Sequence, residues 1–191
     1  MRNLLVAIRH TLTLWLITAL IYPALMLLIG QLALPYQANG SLITDSAGKI
    51  IGSALIGQNF TSNTYFWSRP STINYSQDET ASPTGVSGAS NLAPSNPDLT
   101  KRITQEIQRL KSVGVTPTAD LVYTSGSGLD PHITVAGAIA QLPRVAKATN
   151  IPESQIKPLI ATHTQGKFLG IFGEPSVNVL QLNLALEALK R

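Results

Sequence analysis

The sequence predicts an α+β protein with a single N-terminal transmembrane helix, followed by one extracytoplasmic domain that has a small sheet and three or four helices. Three observations support this prediction. The 23 residues from Leu12 to Leu34 are almost entirely apolar. The 155 residues from Gln37 to Arg191 are enough to bury one hydrophobic core. Within them, short strand-like runs alternate with stretches whose apolar residues recur every three or four positions, as in amphipathic helices.

The apolar N-terminal stretch has the length of a membrane span. As an α-helix, Leu12 to Leu34 would be about 35 Å long at about 1.5 Å per residue, against a hydrocarbon core of about 30 Å. The Tyr22-Pro23 pair places a proline near its middle. Spanning helices tolerate proline, and we expect a kink there. The lipid bilayer is therefore a predicted partner.

A cleaved secretory signal is the alternative interpretation of this stretch. Such signals have an apolar region of about 7 to 15 residues and end at small residues. Here the run is longer, and the nearest small-residue candidate, Ala38-Asn39-Gly40, lies beyond Pro35. We therefore expect an uncleaved anchor. Basic residues stay on the cytoplasmic side, so residues 1–11 are a predicted cytoplasmic tail and residues 37–191 an extracytoplasmic domain.

The charges of the predicted outer domain are nearly balanced. Two of the chain's 14 basic residues, Arg2 and Arg9, lie in the tail, which leaves 12 Lys/Arg beside 10 Asp/Glu. Basic residues occur there at most in pairs, so nucleic-acid binding is not expected. The absence of cysteine from the sequence excludes a disulfide framework and a thiol metal site.

The first elements of the domain are a hairpin and a long loop. Apolar runs around the turn at Asp45 to Gly48 predict a β-hairpin from about Leu42 to Ile56. From Ser68 to Asn96 no periodicity survives, and we expect this loop to be mobile or to be ordered by a partner. Arg69 is its strongest donor. It could fork onto a carboxylate or carbonyl of the partner, or pair within its own domain with Asp78 or Glu79.

Helical patterns dominate the second half of the chain. Asn96 is a predicted cap for a helix that begins at Pro97 and ends before Gly114. The remaining expected elements are a strand over Ala119 to Thr124, a helix over Ile133 to Ala140 that Pro143 interrupts, a helix from Pro152 to about His163, a strand-like stretch from Lys167 to Gly173, and a helix from Val179 to Lys190.

The stretch SGSGLDPHI, residues 125–133, contains residue types that could carry chemistry. It lacks the lysine of a phosphate-binding loop, and its serine and glycines do not have the spacing of a nucleophile elbow. Asp130, His132 and His163 lack the spacing of a metal site. We predict instead that Gly126 and Gly128 form a turn, and that Asp130 caps a helix beginning at Pro131.

Four long stretches resemble one known family. They are LIGQNFTSNTYFWSRPS, SGASNLAPSNPDL, SGSGLDPHITVAGAIAQLPRVAKATNIP and GEPSVNVLQLNLAL, and they resemble the C subunit of the bacterial potassium-transporting Kdp P-type ATPase. They come after one N-terminal span that carries a Tyr-Pro pair, as in that family, so the resemblance covers nearly the whole chain. Ala89 and Ala93 depart from common glycines of the family, and Pro158 falls inside a helix that is usually unbroken.

This resemblance implies a non-catalytic accessory subunit that stabilises a high-affinity, ATP-driven potassium pump of the bacterial plasma (inner) membrane. The implied partners are a channel-like potassium subunit, an ATP-hydrolysing subunit and a small membrane peptide. The family's subunit is described as a catalytic chaperone that raises the ATP affinity of the hydrolysing subunit. The predicted orientation places the domain away from cytoplasmic ATP. We therefore expect ATP to be used by the partner, with no cofactor bound directly by this chain.

The resemblance also marks residues for partner contact, and one other function remains open. The expected contact residues belong to two family motifs of the long loop, namely Arg69, Pro70, Ser71, Ser90 and Asn91. The alternative function is a membrane-anchored exported hydrolase or binding protein that uses Ser127 and His132.

Overall fold

The computed structural model describes residues 2–77 and 85–190. The chain divides into two units, the first ending at Ile51 and the second beginning at Gly52. The first unit is dominated by one continuous apolar helix, Arg2–Ala33, of 32 residues. The helix therefore begins within the stretch that we assigned to the tail. Its length and composition agree with a membrane span.

The long helix has a local irregularity directly before its proline. It consists of α1 (Arg2–Leu16), a π-helical turn (Ile17–Ile21) and α2 (Tyr22–Ala33), which begins with the Tyr22-Pro23 pair. The Tyr22 N–H donates to the Ile17 carbonyl, five residues earlier. Proline has no N–H to donate and crowds the preceding turn, so the wider turn lies where the sequence predicted a disturbance.

A short helix and a hairpin follow the long helix, and the second strand of the hairpin runs across the boundary between the two units. After α3 (Pro35–Ala38), strands β1 (Leu42–Thr44) and β2 (Ile50–Ser53) form a two-stranded sheet. The Asp45 carboxylate accepts the N–H groups of Ala47 and Lys49, each at 2.9 Å, and so closes the turn. The predicted hairpin is confirmed, although β2 ends at Ser53 and only an isolated bridge joins Ser53 to Ile56.

The second unit has a small antiparallel sheet with helices. Strand β5 (Ser176–Asn178) lies between β3 (His132–Thr134) and β4 (Thr164–Gln165). Ile133 of β3 is opposite Val177 of β5, and both are buried. The helices of this unit are α4 (Pro97–Ser112), α5 (Ala119–Val122), α6 (Val135–Thr149), α7 (Glu153–Thr162) and α8 (Val179–Leu189). This architecture confirms the predicted α+β class.

The core of the second unit forms where the apolar faces of these helices meet. Helices α6, α7 and α8 each bury residues three or four positions apart, the spacing of one helical face, and α4 contributes Leu110. The buried helical residues are Leu110 of α4, Ala138, Leu142 and Val145 of α6, Ile156 and Ile160 of α7, and Val179, Leu182 and Leu186 of α8. The predictions for α4, α7 and α8 are confirmed. Pro158, which departs from the family pattern, lies inside α7 without ending it.

The strand predicted over Ala119 to Thr124 is wrong. Ala119–Val122 form the single helical turn α5, and the Tyr123 N–H that follows donates to the Ala119 carbonyl at 2.8 Å. Asp120 of this turn is buried and accepts the Thr134 backbone N–H at 2.6 Å. A short apolar run does not distinguish a buried turn from a strand, and here the buried carboxylate fixes the helical turn.

The helix predicted to begin at Pro131 is also wrong, and Asp130 is not a helix cap. Strand β3 occupies this position because Ile133 pairs across the sheet, and helix α6 begins three residues after His132. Its cap is Thr134, whose hydroxyl accepts the Gly137 N–H at 2.9 Å. Pro143 does not interrupt α6. It is exposed, so the carbonyl that loses its helical donor can bind water.

The stretch from Lys167 to Gly173 is not a strand. It forms a tight hairpin whose two phenylalanines, Phe168 and Phe172, make an isolated bridge. The strand of this region is β4, just before it. Leu169 (φ 52°) and Gly170 (φ 74°) have left-handed backbone conformations, which a continuous strand does not allow.

Candidate functional site

The Arg69-Pro70-Ser71 motif lines a polar cleft in the second unit. The cleft has a volume of about 430 Å³. Amide, hydroxyl and charged side chains surround it, together with the aromatic rings of Phe60, Trp67 and Tyr75. The other lining residues are Asn59, Thr61, Ser68, Asn74, Glu106 and Arg109. We treat this cleft as the candidate functional site because three of the predicted contact residues meet there.

One wall of the cleft is a left-handed turn. Asn74, Tyr75 and Ser76 have φ values of 47°, 56° and 57°. Left-handed backbone at non-glycine residues costs on the order of 1 to 3 kcal/mol each and persists only where neighbouring contacts enforce it. The Tyr75 side chain supplies such a contact, since it is buried and its hydroxyl donates to the Arg69 carbonyl at 2.6 Å. Burial raises the pKa of Tyr75 to about 12, so the hydroxyl remains a donor at physiological pH.

Ser71 ties this turn to a second segment. Its hydroxyl accepts the Ile73 N–H at 3.3 Å and the Tyr75 N–H at 3.2 Å. The same hydroxyl donates to the Gly128 carbonyl at 2.8 Å. One serine side chain therefore stabilises the left-handed turn and fixes it on residues 125–130, which we call the platform.

The platform also binds two parts of the long loop through backbone groups. The Ser125 N–H donates to the Pro70 carbonyl at 2.9 Å, and the Gly88 N–H donates to the Ser127 carbonyl at 2.8 Å. The Ser87 hydroxyl reaches the same Ser127 carbonyl at 3.0 Å. The prediction that this loop is mobile or ordered by a partner is therefore wrong for residues 70–77 and 86–88, and for residues 89–96 it stays a prediction. Main-chain groups of the same domain hold residues 70–77 and 86–88. Such hydrogen bonds leave no apolar periodicity in the sequence, so the sequence did not predict them.

Arg69 is paired inside its own domain. Its guanidinium Nη1 donates to Asp130 Oδ2 at 2.9 Å. The other oxygen of Asp130 accepts the His132 backbone N–H at 3.0 Å. This carboxylate lies 61 residues away in sequence, so Arg69 pairs within its own domain as one of the two alternatives predicted, but with a residue that was not foreseen, and its contact with a partner stays a prediction. Asp78 and Glu79, the other predicted partners, lie outside the described residues.

The pKa of the Asp130 carboxyl group is lowered in the folded protein, which keeps it charged for its pairing with Arg69. Burial would raise the pKa of Asp130, but the hydrogen bonds from His132 and the charge of Arg69 outweigh burial and lower it below its ordinary value. A carboxylate with a depressed folded-state pKa stabilises the folded state above the unfolded pKa, and the stabilisation is lost as pH falls through the folded pKa.

We expect Asp130→Asn to weaken the pH dependence of unfolding. The free energy of unfolding should differ most between wild type and variant at pH 7, where Asp130 is charged. The difference should shrink as the pH is lowered through about 4 and below. Chemical denaturation of the full chain in detergent micelles, followed by tryptophan fluorescence in a Trp15→Phe background, measures both proteins. A constant difference across that pH range would contradict this role of Asp130.

The remaining predicted contact residues, Ser90 and Asn91, are not among the residues that line the cleft. Ser90 is half-buried, whereas Asn91 is exposed and has a left-handed backbone (φ 51°). The structure therefore brings together Arg69, Pro70 and Ser71 but not the second motif.

The back of the cleft rests on a buried polar network that the sequence did not predict. Trp67 is flanked by two guanidinium groups, with Arg144 at 3.7 Å and Arg109 at 4.3 Å from the ring centroid. Burial, the larger effect, and repulsion from the charge of Arg109 together lower the pKa of Arg144 to about 10. Arg144 donates to the carbonyls of Asn63 and Tyr65 at 2.7 and 2.9 Å. The guanidinium is therefore charged at neutral pH and pins this segment to α6.

Two amide side chains complete that network. Gln141 of α6 accepts the Trp67 N–H at 2.7 Å and donates to the Trp67 carbonyl at 3.1 Å. Asn183 of α8 does the same for Phe66, at 2.8 and 2.9 Å. Each amide thus replaces the strand partner that the buried Phe66-Trp67 backbone lacks. In the sequence, the only indication of this network is that an amide, Gln141 in α6 and Asn183 in α8, stands on an otherwise apolar helical face.

Ser127 and His132 do not form a catalytic pair. Ser127 is exposed, and its hydroxyl accepts the Leu129 N–H at 3.1 Å. The His132 ring instead approaches the Asp130 carboxylate, with Nδ1 at 3.4 Å from Oδ1. Within residues 2–77 and 85–190, no hydrogen bond joins the two side chains, and no group of three or more His, Cys, Asp or Glu residues could hold a metal ion. The platform's polar groups are engaged in holding the loop.

Comparisons with known proteins identify close relatives. The family model described as "K+-transporting ATPase, c chain" matches residues 4–188. A Synechocystis sp. protein named Potassium-transporting ATPase KdpC subunit is 67% identical over 186 residues, which cover 97% of this chain and 98% of that protein. The Nostoc sp. protein named KdpC subunit 1 is 58% identical over 191 residues, 96% of this chain and 95% of that protein. A Geobacter metallireducens relative with the KdpC name is 46% identical over 193 residues, 99% of both chains.

Proposed function

Because the chain belongs to the family of the c chain of the K+-transporting ATPase, we propose that it is an accessory, non-catalytic subunit of an ATP-driven potassium uptake pump. The observation that carries this proposal is the 67% identity to a relative bearing that subunit's name over nearly the full length of both chains. The contacts of Ser127 and His132 support it, because the Ser127 hydroxyl accepts the Leu129 N–H and the His132 ring lies beside the Asp130 carboxylate.

Anchoring in the bacterial plasma (inner) membrane is the second part of the proposal. The helix Arg2–Ala33 provides the span, and its 32 residues exceed the roughly 20 that a bilayer core requires. Arg2 and Arg9 lie near its N-terminus, so we place that end in the cytoplasm and the second unit on the extracytoplasmic side.

The partners we propose are a channel-like potassium subunit, an ATP-hydrolysing subunit and a small membrane peptide of the same pump. In this arrangement ATP binds and is hydrolysed on the cytoplasmic side by the partner, and this chain holds no cofactor. An effect of the subunit on the ATP affinity of that partner would then be indirect, transmitted through the assembled complex rather than through a shared nucleotide site.

Co-purification tests the proposed function. The full chain, tagged at its C-terminus and extracted in mild detergent from cells that express the complete pump, should retain larger membrane subunits at a constant ratio. ATPase activity stimulated by potassium should elute with them. The proposal is wrong if the chain elutes alone under conditions in which the other subunits remain associated with one another.

We further expect the double variant Ser127→Ala/His132→Ala to retain function. Potassium uptake by the assembled pump should stay within a few-fold of wild type, because neither side chain is placed for catalysis. Uptake of labelled rubidium or potassium by cells that depend on the pump measures this. A loss of several orders of magnitude in a complex that still assembles would refute this prediction and show that these side chains take part in the activity of the pump.

A further inference from the structure

The hairpin between β4 and β5 exposes a compact group of large apolar side chains. Phe168, Leu169, Ile171 and Phe172 are 71%, 74%, 74% and 61% exposed. We call these four residues, with Gly170, the apolar tip. Large apolar side chains occur singly on most protein surfaces, whereas a contiguous group of this kind marks an interaction site.

The apolar tip is held in one conformation by its own backbone. Phe168 and Phe172 exchange both N–H···O bonds, at 2.8 and 2.9 Å. Inside them, the Gly170 N–H donates to the Lys167 carbonyl at 3.0 Å, and the Ile171 N–H donates to the Phe168 carbonyl at 3.2 Å. The four side chains therefore project from a closed, preorganised turn. Preorganisation reduces the entropy lost on binding and favours an occupant with a shape of its own.

The charged residues that flank the apolar tip do not favour binding of the tip to a lipid surface. Lys167 and Glu174 lie on the two arms of the hairpin, with Nζ and Oε1 3.9 Å apart, so the positive charge is matched locally. Segments that bind anionic membranes combine apolar residues with clusters of lysine and arginine. Between Gln165 and Asn178, Lys167 is the only basic residue in the sequence. A neutral, rigid and apolar tip fits a protein pocket better than a headgroup layer.

We propose that the apolar tip inserts into an apolar pocket on another subunit of the pump and anchors the second unit of this chain in the complex. This inference rests on the proposed function, which supplies the partner. The pocket must accept two phenyl rings and two branched aliphatic chains without a buried charge. Aromatic anchors in such pockets carry a large share of the binding energy of an interface.

Assembly of variant chains tests the proposal. Full-length Phe168→Ser/Ile171→Ser, expressed with the other subunits, should be lost from the complex at least ten times faster than wild type during detergent washing. The matched control is Ile139→Ser, which changes another exposed isoleucine, 46% exposed on α6, and should be retained within two-fold of wild type. Equal retention of both variants would overturn the proposal. Thermal melting of the purified full-length variants verifies that the tip substitutions leave the fold intact.

A single label distinguishes the possible occupants. Since the sequence has no cysteine, Ile171→Cys gives one attachment point for an environment-sensitive fluorophore on the full chain. We expect water-like emission and full quenching by iodide for the chain alone, in detergent and in phosphatidylethanolamine/phosphatidylglycerol vesicles, and blue-shifted, protected emission in the assembled pump. Protection in vesicles without other subunits would assign the tip to lipid, and protection that rises with chain concentration in detergent would assign it to a second copy. Either result overturns the proposal.

The same measurements separate this inference from the proposed function. If the wild-type chain co-purifies with the pump while the label stays exposed to iodide, the tip proposal fails and the subunit assignment stands. If the wild-type chain does not co-purify at all, the assignment itself fails, and the tip then lacks the partner that we propose for it.

Discussion

Replacing Asn183 by leucine should destabilise the second unit by about 2 to 6 kcal/mol, because it leaves two buried backbone groups without partners at about 1 to 3 kcal/mol each. These groups are the N–H and the carbonyl of Phe66, which bond the Asn183 amide at 2.8 and 2.9 Å. Phe66 is fully buried, with 0% exposure, so water cannot replace the lost bonds. The loss is a large part of the roughly 5 to 15 kcal/mol that stabilises a typical domain.

Leucine is the informative substitution because it has the same number and branching of side-chain heavy atoms as asparagine and a higher helical propensity. It isolates the hydrogen bonds from the cavity that alanine would also create. Gln181→Leu is the matched control, since it makes a similar amide-to-leucine change two positions earlier on α8, at a half-buried side chain. The control should alter the free energy of unfolding by no more than about 0.5 kcal/mol.

Chemical denaturation of the full chain in detergent micelles measures both variants. Fluorescence of Trp67 in a Trp15→Phe background reports directly on this region, because the neighbouring Phe66 and Trp67 are held by Asn183 and Gln141 respectively. If Asn183→Leu and Gln181→Leu shift the denaturation midpoint equally, the amide bonds do not support the Phe66-Trp67 segment.

The parts of the fold that the sequence predicted well are those set by local patterns. Helix α4 begins as expected, with the Asn96 side chain accepting the Asp98 N–H at 2.9 Å. Its apolar spacing and its start at Pro97 are both readable in sequence. Helices α7 and α8 were predicted for the same reason. Turn chemistry also predicted the hairpin at Asp45, because an aspartate that bonds nearby backbone N–H groups is a local signal.

The predictions that failed depend on residues far apart in the chain. Strands β3, β4 and β5 have three, two and three residues, too few to display an alternating pattern. The partner of Arg69 is 61 positions away, and Phe66 and Asn183 are 117 positions apart. Asp130 resembles a helix cap locally, but the β3–β5 pairing makes the residues after it a strand. Tertiary contacts of this kind leave no periodic signal in a single sequence.

The candidate site was only partly predicted, again because its contacts join residues that are far apart in the sequence. The resemblance marked Arg69, Pro70 and Ser71, which line the cleft. It did not indicate that their backbone and side chains are engaged by residues 125–130. The platform was predicted to be a turn, but its role in holding the long loop was visible only in three dimensions.

Substituting alanine for Gly128 should detach the long loop from the platform, at a cost of about 2 to 4 kcal/mol from left-handed backbone strain and steric overlap. Gly128 has φ 70°, and an added Cβ would lie 2.5 Å from the Ile73 side chain and 2.7 Å from the Gly88 carbonyl. The Gly88 backbone cannot move away without breaking its own bond to the Ser127 carbonyl. The segment around Ile73 and Gly88 must therefore shift.

Gly126→Ala is the control for this substitution, because a Cβ at Gly126 would meet no described atom within 4 Å. It makes the same chemical change two residues away and should alter the free energy of unfolding by at most about 0.5 kcal/mol. Comparing the two variants separates the loss of a glycine from the loss of the packing that only Gly128 provides.

Hydrogen exchange of the full chain in micelles locates the effect. In wild type and Gly126→Ala, the amides of Gly88 and Ser125 should be protected even without the other pump subunits, since both donate to carbonyls of the same domain. In Gly128→Ala these amides should exchange at least ten times faster, while amides of the α8 core remain slow. Rapid exchange of Gly88 and Ser125 already in the wild-type chain would mean that the platform does not order the loop by itself. A partner would then have to supply the contacts that keep Arg69, Pro70 and Ser71 in the cleft.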